Sequence, residues 1–325
     1  MTLRRRDTLG LAAALATMAG GLRAQGGWPN KPIRLVVPFP PGGGTDITSR
    51  LVADRLAADL GWTMVVENKP GAGGNIGLDA VAKAAPDGST IGMGQTSNLA
   101  INPALYPKMP FDPLKDLTPI AGVTAQPIVL VVRADSPLRT LADVVKAAKA
   151  KPDQMASAHA GNGTVGHLAA EMLARRAGLQ LAQVPYKGAA PAMNDLLGGQ
   201  VPLYFGSAPS VMTQLQNGKV HGIAVTSAQR LPALASVPTV AEQGYPGFDA
   251  VTWLGLVGPA GMAKEAVARL QSEVGKLLAR ADVRERMAGD GSVPMPLDTA
   301  AFGAYVRSEH AKWSAVVRES GAKLD

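Results

Sequence analysis

Short apolar runs alternate with helix-length amphipathic segments twice along this chain, and that order is what most limits its fold. Residues 33–39 (IRLVVPF), 63–68 and 89–95 read as strands, with helices over 45–61 and 78–85 between them. In 45–61 the stripe Ile47, Leu51, Val52, Leu56 and Leu60 repeats at helical spacing, and Gly61 stops it. A second series follows Ser136-Pro137: strands over 155–160, 181–186, 201–207 and 221–227, helices over 141–150, 164–178, 191–199 and 210–219. Strands joined by helical crossovers build parallel sheets. Between the series, 118–133 reads as two extended runs broken at Pro127, and 248–260 as a strand leading away from the second series. Helices over 265–280 and 300–321 close the chain. The expectation is an α/β protein of two lobes, each a mainly parallel sheet flanked by helices. Residues 25–125 with 248–325 form one lobe and 126–247 the other. Ligands of open parallel sheets sit at the carboxyl ends of strands, so two facing lobes set those ends across a cleft.

The first 24 residues stand apart from this pattern. Arg4-Arg5-Arg6 precedes a short apolar run, 9–19, and Leu22-Arg23-Ala24 ends on a small residue. The run is too short to span a bilayer and reads as an export signal cut after Ala24. Arg5-Arg6-Asp7-Thr8-Leu9 leans towards a twin-arginine signal, with Thr8 against it. Cleavage leaves 28 basic and 24 acidic side chains, a net charge of +4 where the whole chain carries +7. That balance is ordinary and, without a Lys/Arg cluster, gives no reason to expect nucleic acid. Cys is absent, which excludes disulfides, thiolate metal sites and Cys nucleophiles. No later stretch reaches membrane-spanning length, so the mature protein is expected not to be membrane-inserted and to be a monomer.

Three glycine-rich turns precede helices: PPGGGTD (40–46), NKPGAGGNIG (68–77) and HAGNGTVGH (159–167). Glycine lets backbone N–H groups approach a ligand, and a helix N-terminus adds partial positive charge, so three such ends suit a carboxylate or phosphate. None ends in the Gly-Lys-Ser/Thr of a P-loop. Residues 161–166 match GxGxxG, but the dinucleotide reading wants an acid about 20 residues on, where Gln183-Val184-Pro185-Tyr186-Lys187 stands. There is no GxSxG elbow and no HExxH. His159 and His167, eight apart and without carboxylates around them, do not make a metal site. The reading therefore has no cofactor, no metal and no catalytic residue, with a secreted enzyme using His159 as base kept as the rival. Asp46, at a helix start, either orders its loop from below or meets a cationic part of the ligand.

With those motifs in hand, the chain resembles the substrate-binding receptors of tripartite tricarboxylate transporters, the Bug family of periplasmic proteins. The resemblance is carried by WPNKPIRLVVPFPPGGGTD (28–46), VVENKPGAGGNIG (65–77), INPALYPKMPFDPLKDLTPI (101–120) and AGNGTVGHLAAEML (160–173). It continues through VPYKGAAPAMNDLLGGQV (184–201), VPTVAEQGYPGFDAVTWLGLVGPAG (237–261) and EHAKWSAVV (309–317). It implies a type II-like, Venus-flytrap binding protein that holds a small carboxylate (di- or tricarboxylate, acidic amino acid or aromatic acid) between its lobes. It also implies delivery to an integral-membrane permease, with signalling to a membrane sensor as the alternative. The ligand-binding residues it implies in the first lobe are Pro41, Gly42, Gly43, Gly44, Thr45, Asp46, Gly71, Ala72, Gly73, Gly74, Asn75, Thr96, Ser97 and Asn98. In the second lobe they are His159, Gly161, Asn162, Gly163, Thr164, Val165, Tyr186, Lys187, Gly188 and Ser207. Two positions depart from the family pattern: His159 stands where Ser is usual, and Pro202 where Asp is usual.

Overall fold

The computed structural model describes residues 28–152 and 154–322, so the expected export leader lies outside the described residues. The first series folds as β1 (Ile33–Val37), α1 (Gly44–Leu60), β2 (Met64–Asn68), α2 (Asn75–Ala82), β3 (Thr90–Gln95), and a short α3 (Asn102–Leu105). The long strand β4 (Leu117–Arg133) leads to the second series. That series is α4 (Leu141–Ala150), β5 (Ala156–His159), α5 (Val165–Ala177), β6 (Ala182–Pro185), α6 (Ala189–Leu197), β7 (Leu203–Ser207), α7 (Ala208–Gln216) and β8 (Val220–Val225). The chain returns through β9 (Val251–Pro259) and ends with α8 (Lys264–Ala279), α9 (Ala281–Gly289), β10 (Val293–Pro294) and α10 (Thr299–Ser320).

Two sheets result, in the order β2-β1-β3-β9-β4-β10 and β6-β5-β7-β4-β8. β2, β1 and β3 run parallel, as do β6, β5 and β7. The strands that close each sheet, β9 and β4 in one and β4 and β8 in the other, pair antiparallel. The parallel part is the crossover-linked part, as the strand–helix alternation predicts, and the antiparallel pairs come from strands that carry the chain between sheets. β1 is apolar on both faces apart from the exposed Arg34, because helices cover both sides of the sheet there. Ile33 and Leu35 pack with α1 and α8, while Val36 packs with α2 on the other face.

The expected break at Pro127 does not occur. β4 is one strand, and Pro127 marks where it changes sheets. Its last partner in β9 is Val251, opposite Pro127, and its first in β7 is Ser207, opposite Ile128. The N–H that proline lacks falls at the handover, where the β9 ladder ends and the β7 ladder begins. A second crossing lies beside it. Thr226 accepts from the Ile128 N–H at 3.0 Å through its hydroxyl oxygen and donates that hydroxyl to the Ala250 carbonyl at 2.5 Å.

α10 ties the return strand down. The Glu309 carboxylate accepts from the indole N–H of Trp253 at 2.8 Å and of Trp313 at 2.9 Å, and both rings are fully buried. Indole donors inside a core need such an acceptor. The apolar side of α10, including Val306 and Val317, shares one buried cluster with Leu168 and Leu173 of α5, so it packs against both lobes.

Candidate functional site

The first glycine loop leaves β1 and enters α1. Its N-cap is Gly43, which brings no side chain to compete for the first-turn N–H groups of the helix. Gly42 adopts φ +81° and donates its N–H to Asp46 Oδ2 at 3.0 Å. Asp46 is buried behind the loop, where Asn68 Nδ2 donates to it at 2.8 Å and Arg50 Nε at 3.1 Å. Burial by itself raises the Asp46 pKa; the bonds from Arg50, Asn68 and Gly42 outweigh it and hold the carboxyl below its ordinary value. Of the two roles open to Asp46, this geometry is that of ordering the loop from below. Gly44 lies where the lobes meet. A Cβ there would strike Gln126 Oε1 and come within 2.8 Å of Ser207 Oγ.

The second loop, between β2 and α2, is held in left-handed conformations at Ala72 (φ 48°), Gly73 (φ 62°) and Gly74 (φ 92°). Asn102 clamps it, donating Nδ2 to the Gly73 carbonyl at 3.0 Å and to Asn75 Oδ1 at 2.7 Å. α2 begins at Asn75, three residues earlier than its apolar spacing predicts, so the helix starts directly from the glycines.

The third loop joins β5 to α5. Thr164 caps α5, accepting the His167 N–H at 3.3 Å and donating its hydroxyl to the Gly161 carbonyl at 2.7 Å. The Gly161 N–H donates to His159 Nδ1 at 3.4 Å, and the Gly163 N–H to His167 Nδ1 at 3.3 Å. Two glycine donors expected to face a ligand are thus taken up by imidazoles. The rings lie 4.6 Å apart at 33°, and His159 is fully buried. Burial first, and the neighbouring His167 second, push the His159 pKa down to about 3, so it is neutral. His159 lines neither chamber described below, which removes the rival reading of it as a base acting on a bound acid.

Four helix N-termini meet around one cavity. α1 contributes Gly43, Gly44 and Thr45; α5 contributes Thr164, Val165 and Gly166; α6 contributes Gly188 and Ala189; α7 contributes Ser207 and Ser210. This inner chamber is about 70 Å³ and has no charged side chain in its wall. Tyr204 lines it, fully buried; burial, opposed in part by Ser210, pushes the phenol pKa up to about 12, so it stays a donor. Gln126 also lines it, donating Nε2 to Thr48 Oγ1 at 2.9 Å, while its Oε1 has no hydrogen-bond partner among the described residues. An outer chamber of about 420 Å³ adjoins it, sharing Phe39, Pro40, Ala160, Thr164 and Gly188. Gly71, Ala72, Gly73, Gly74, Gly161, Asn162, Tyr186 and Lys187 line this outer space, with Lys187 the one charged side chain among them. Tyr186 is fixed there by donating its hydroxyl to Asp195 Oδ2 at 2.6 Å.

Fifteen of the expected site residues therefore line one chamber or the other. Nine do not. Pro41 and Gly42 are on the exposed turn, and Asp46 is behind it. Asn75, Thr96, Ser97 and Asn98 are buried away from both chambers, and Thr96 Oγ1 accepts the N–H of Trp253 in β9 at 2.8 Å. His159 is buried at the end of β5, and Gly163 is buried within the third loop itself. Gln95, directly before Thr96, lines the inner chamber instead. Gln126, Tyr204 and Thr252 were not among the expected residues, because they come from strand runs that read as plain core. A glutamine inside an apolar strand run was the available signal for Gln126.

A sequence profile described as "Tripartite tricarboxylate transporter family receptor", TctC, matches residues 48–322. The chain is 36% identical to protein BugT of Bordetella pertussis over 317 residues, covering 97% of each. Among solved structures, an R. palustris protein with adipate is 34% identical with a TM-score of 0.89, over 91% of this chain and 100% of that one. MatC from Rhodopseudomonas palustris with bound malate is 33% identical with a TM-score of 0.83, over 89% of this chain and 100% of that one. The family whose profile matches is one of transporter receptors. The fold, the glycine-loop cradle and the extent of the match agree: the chain belongs to the tripartite tricarboxylate transporter receptor family.

Proposed function

We propose that the chain is an exported receptor that loses residues 1–24, works in the periplasm, and holds a small carboxylate between two lobes for a membrane permease. The lobes comprise 25–125 with 248–325, and 126–247. The observation that carries the reading is the convergence of four helix N-termini on a chamber with no charged wall residue. Each helix end offers N–H groups without intrahelical partners and about half a positive charge, which suits an anion and needs no arginine. Lys187 in the outer chamber supports a ligand with a second acidic group at its far end. The ligands of the two R. palustris relatives, adipate and malate, are both dicarboxylates.

The test is a thermal-shift screen of residues 25–325 against malate, adipate, other small acids and the matching amides. A saturable rise in melting temperature with an acid but not its amide supports the reading. An amide that stabilises as well as its acid would show that the cradle does not recognise negative charge.

A further inference from the structure

We infer that His159 is a positioning residue, which with His167 sets the second lobe's share of the cradle. The inference rests on reading the cavity as a carboxylate site. His159 is the last residue of β5, and His167 is in the first turn of α5. Each ring accepts one glycine N–H of the intervening loop through Nδ1, at 3.4 Å and 3.3 Å. The bond from Gly161 has the form of an Asx-turn, with an imidazole nitrogen where a carboxamide oxygen would be. The ring contact at 4.6 Å joins the two clips into one floor beneath the loop. Above that floor Thr164, Val165 and Gly166 face the inner chamber.

A second observation separates this role from plain core packing. With Nδ1 accepting, the proton of a neutral His159 is on Nε2. Nε2 is buried and has no partner among the described residues. A buried donor without an acceptor lowers stability, and an apolar side chain of similar size would avoid that loss. The histidine therefore costs the fold something while the loop gains its acceptor.

Three variants test this: His159→Leu, His159→Asn and His159→Gln, each melted without ligand and titrated calorimetrically with malate and with adipate. His159→Leu is expected to melt at or above the wild-type temperature and yet bind about three- to tenfold more weakly, the span of one net hydrogen bond. His159→Asn carries an oxygen where Nδ1 was and is expected to restore affinity to within about twofold. His159→Gln places its oxygen near the Nε2 position and is expected to remain weak. Wild-type affinity in both the Leu and Gln variants would overturn the inference while leaving the carboxylate reading in place. Equal weakness of Asn and Gln would also overturn it. If the Leu variant does not fold, the Asn–Gln comparison decides alone. If wild-type protein binds neither acid, the variants are titrated with the acid that stabilises it in the thermal-shift screen; if no acid in that screen stabilises it, the carboxylate reading fails and this inference fails with it.

Discussion

Gly43→Asp should abolish carboxylate binding without unfolding the protein. Gly43 has φ −85° and ψ 166°, an extended conformation that any residue adopts. A Cβ there would find Ala189 Cβ at 3.9 Å, an ordinary contact, so the new side chain has room. Position 43 is the N-cap of α1, where aspartate is a slightly better cap than glycine. The melting temperature of the apo variant should therefore hold or rise. The introduced carboxylate takes the same first-turn N–H groups that the ligand needs. Losing two charge-assisted hydrogen bonds removes about 3–6 kcal/mol. Repulsion between two carboxylates about 5 Å apart adds about 3 kcal/mol at an effective dielectric near 20. Even the smallest of these terms corresponds to about a hundredfold loss of affinity for malate or adipate. Calorimetric titration reads that loss directly, with Gly43→Ala as the steric control, expected to lose far less. Binding by Gly43→Asp within about threefold of wild type would refute the backbone cradle at α1.

Other residues make independent claims. Gly44→Ala puts a methyl group against Gln126 Oε1 and 2.8 Å from Ser207 Oγ; ligand-induced compaction in small-angle scattering should be lost, and normal compaction would show that the lobes do not close there. Glu309→Leu leaves the indole donors of Trp253 and Trp313 without their acceptor; urea unfolding should show a loss of about 2–4 kcal/mol, and Glu309→Gln a smaller one because it keeps an acceptor oxygen. His159 has its folded-state pKa lowered from 6.5 to about 3. Between those values the unfolded chain binds a proton that the native chain does not, so stability falls as pH falls through this window, by up to about 1.4 kcal/mol per unit. His159→Leu should flatten that acid limb, and an unchanged slope would place the titrating group elsewhere. Asp46 has its folded pKa below the ordinary 3.8, so its contribution is present above that value and lost as pH falls through the lowered one. Asp46→Asn should remove that loss from the acid unfolding curve.

The amino-acid order by itself determined the architecture. Strand–helix alternation specifies parallel sheets because a parallel connection needs a crossover, and two interrupted series specify two of them. It also located the glycine loops, since strand ends, glycine runs and helix starts are local features. What it did not determine was which groups in those loops point at the ligand. Asp46, His159 and Gly163 lie in cradle motifs yet face away from the chambers, because each is held from behind by residues of its own loop or of the opposite lobe. Pro127 read as a break for the same reason: its tolerance depends on two sheets exchanging one strand at that point. Gln126, Tyr204 and Thr252 join the cavity only once the sheets face each other. Local chemistry determined where the helices begin; the packing of one lobe on the other decided that four of those beginnings share a single chamber.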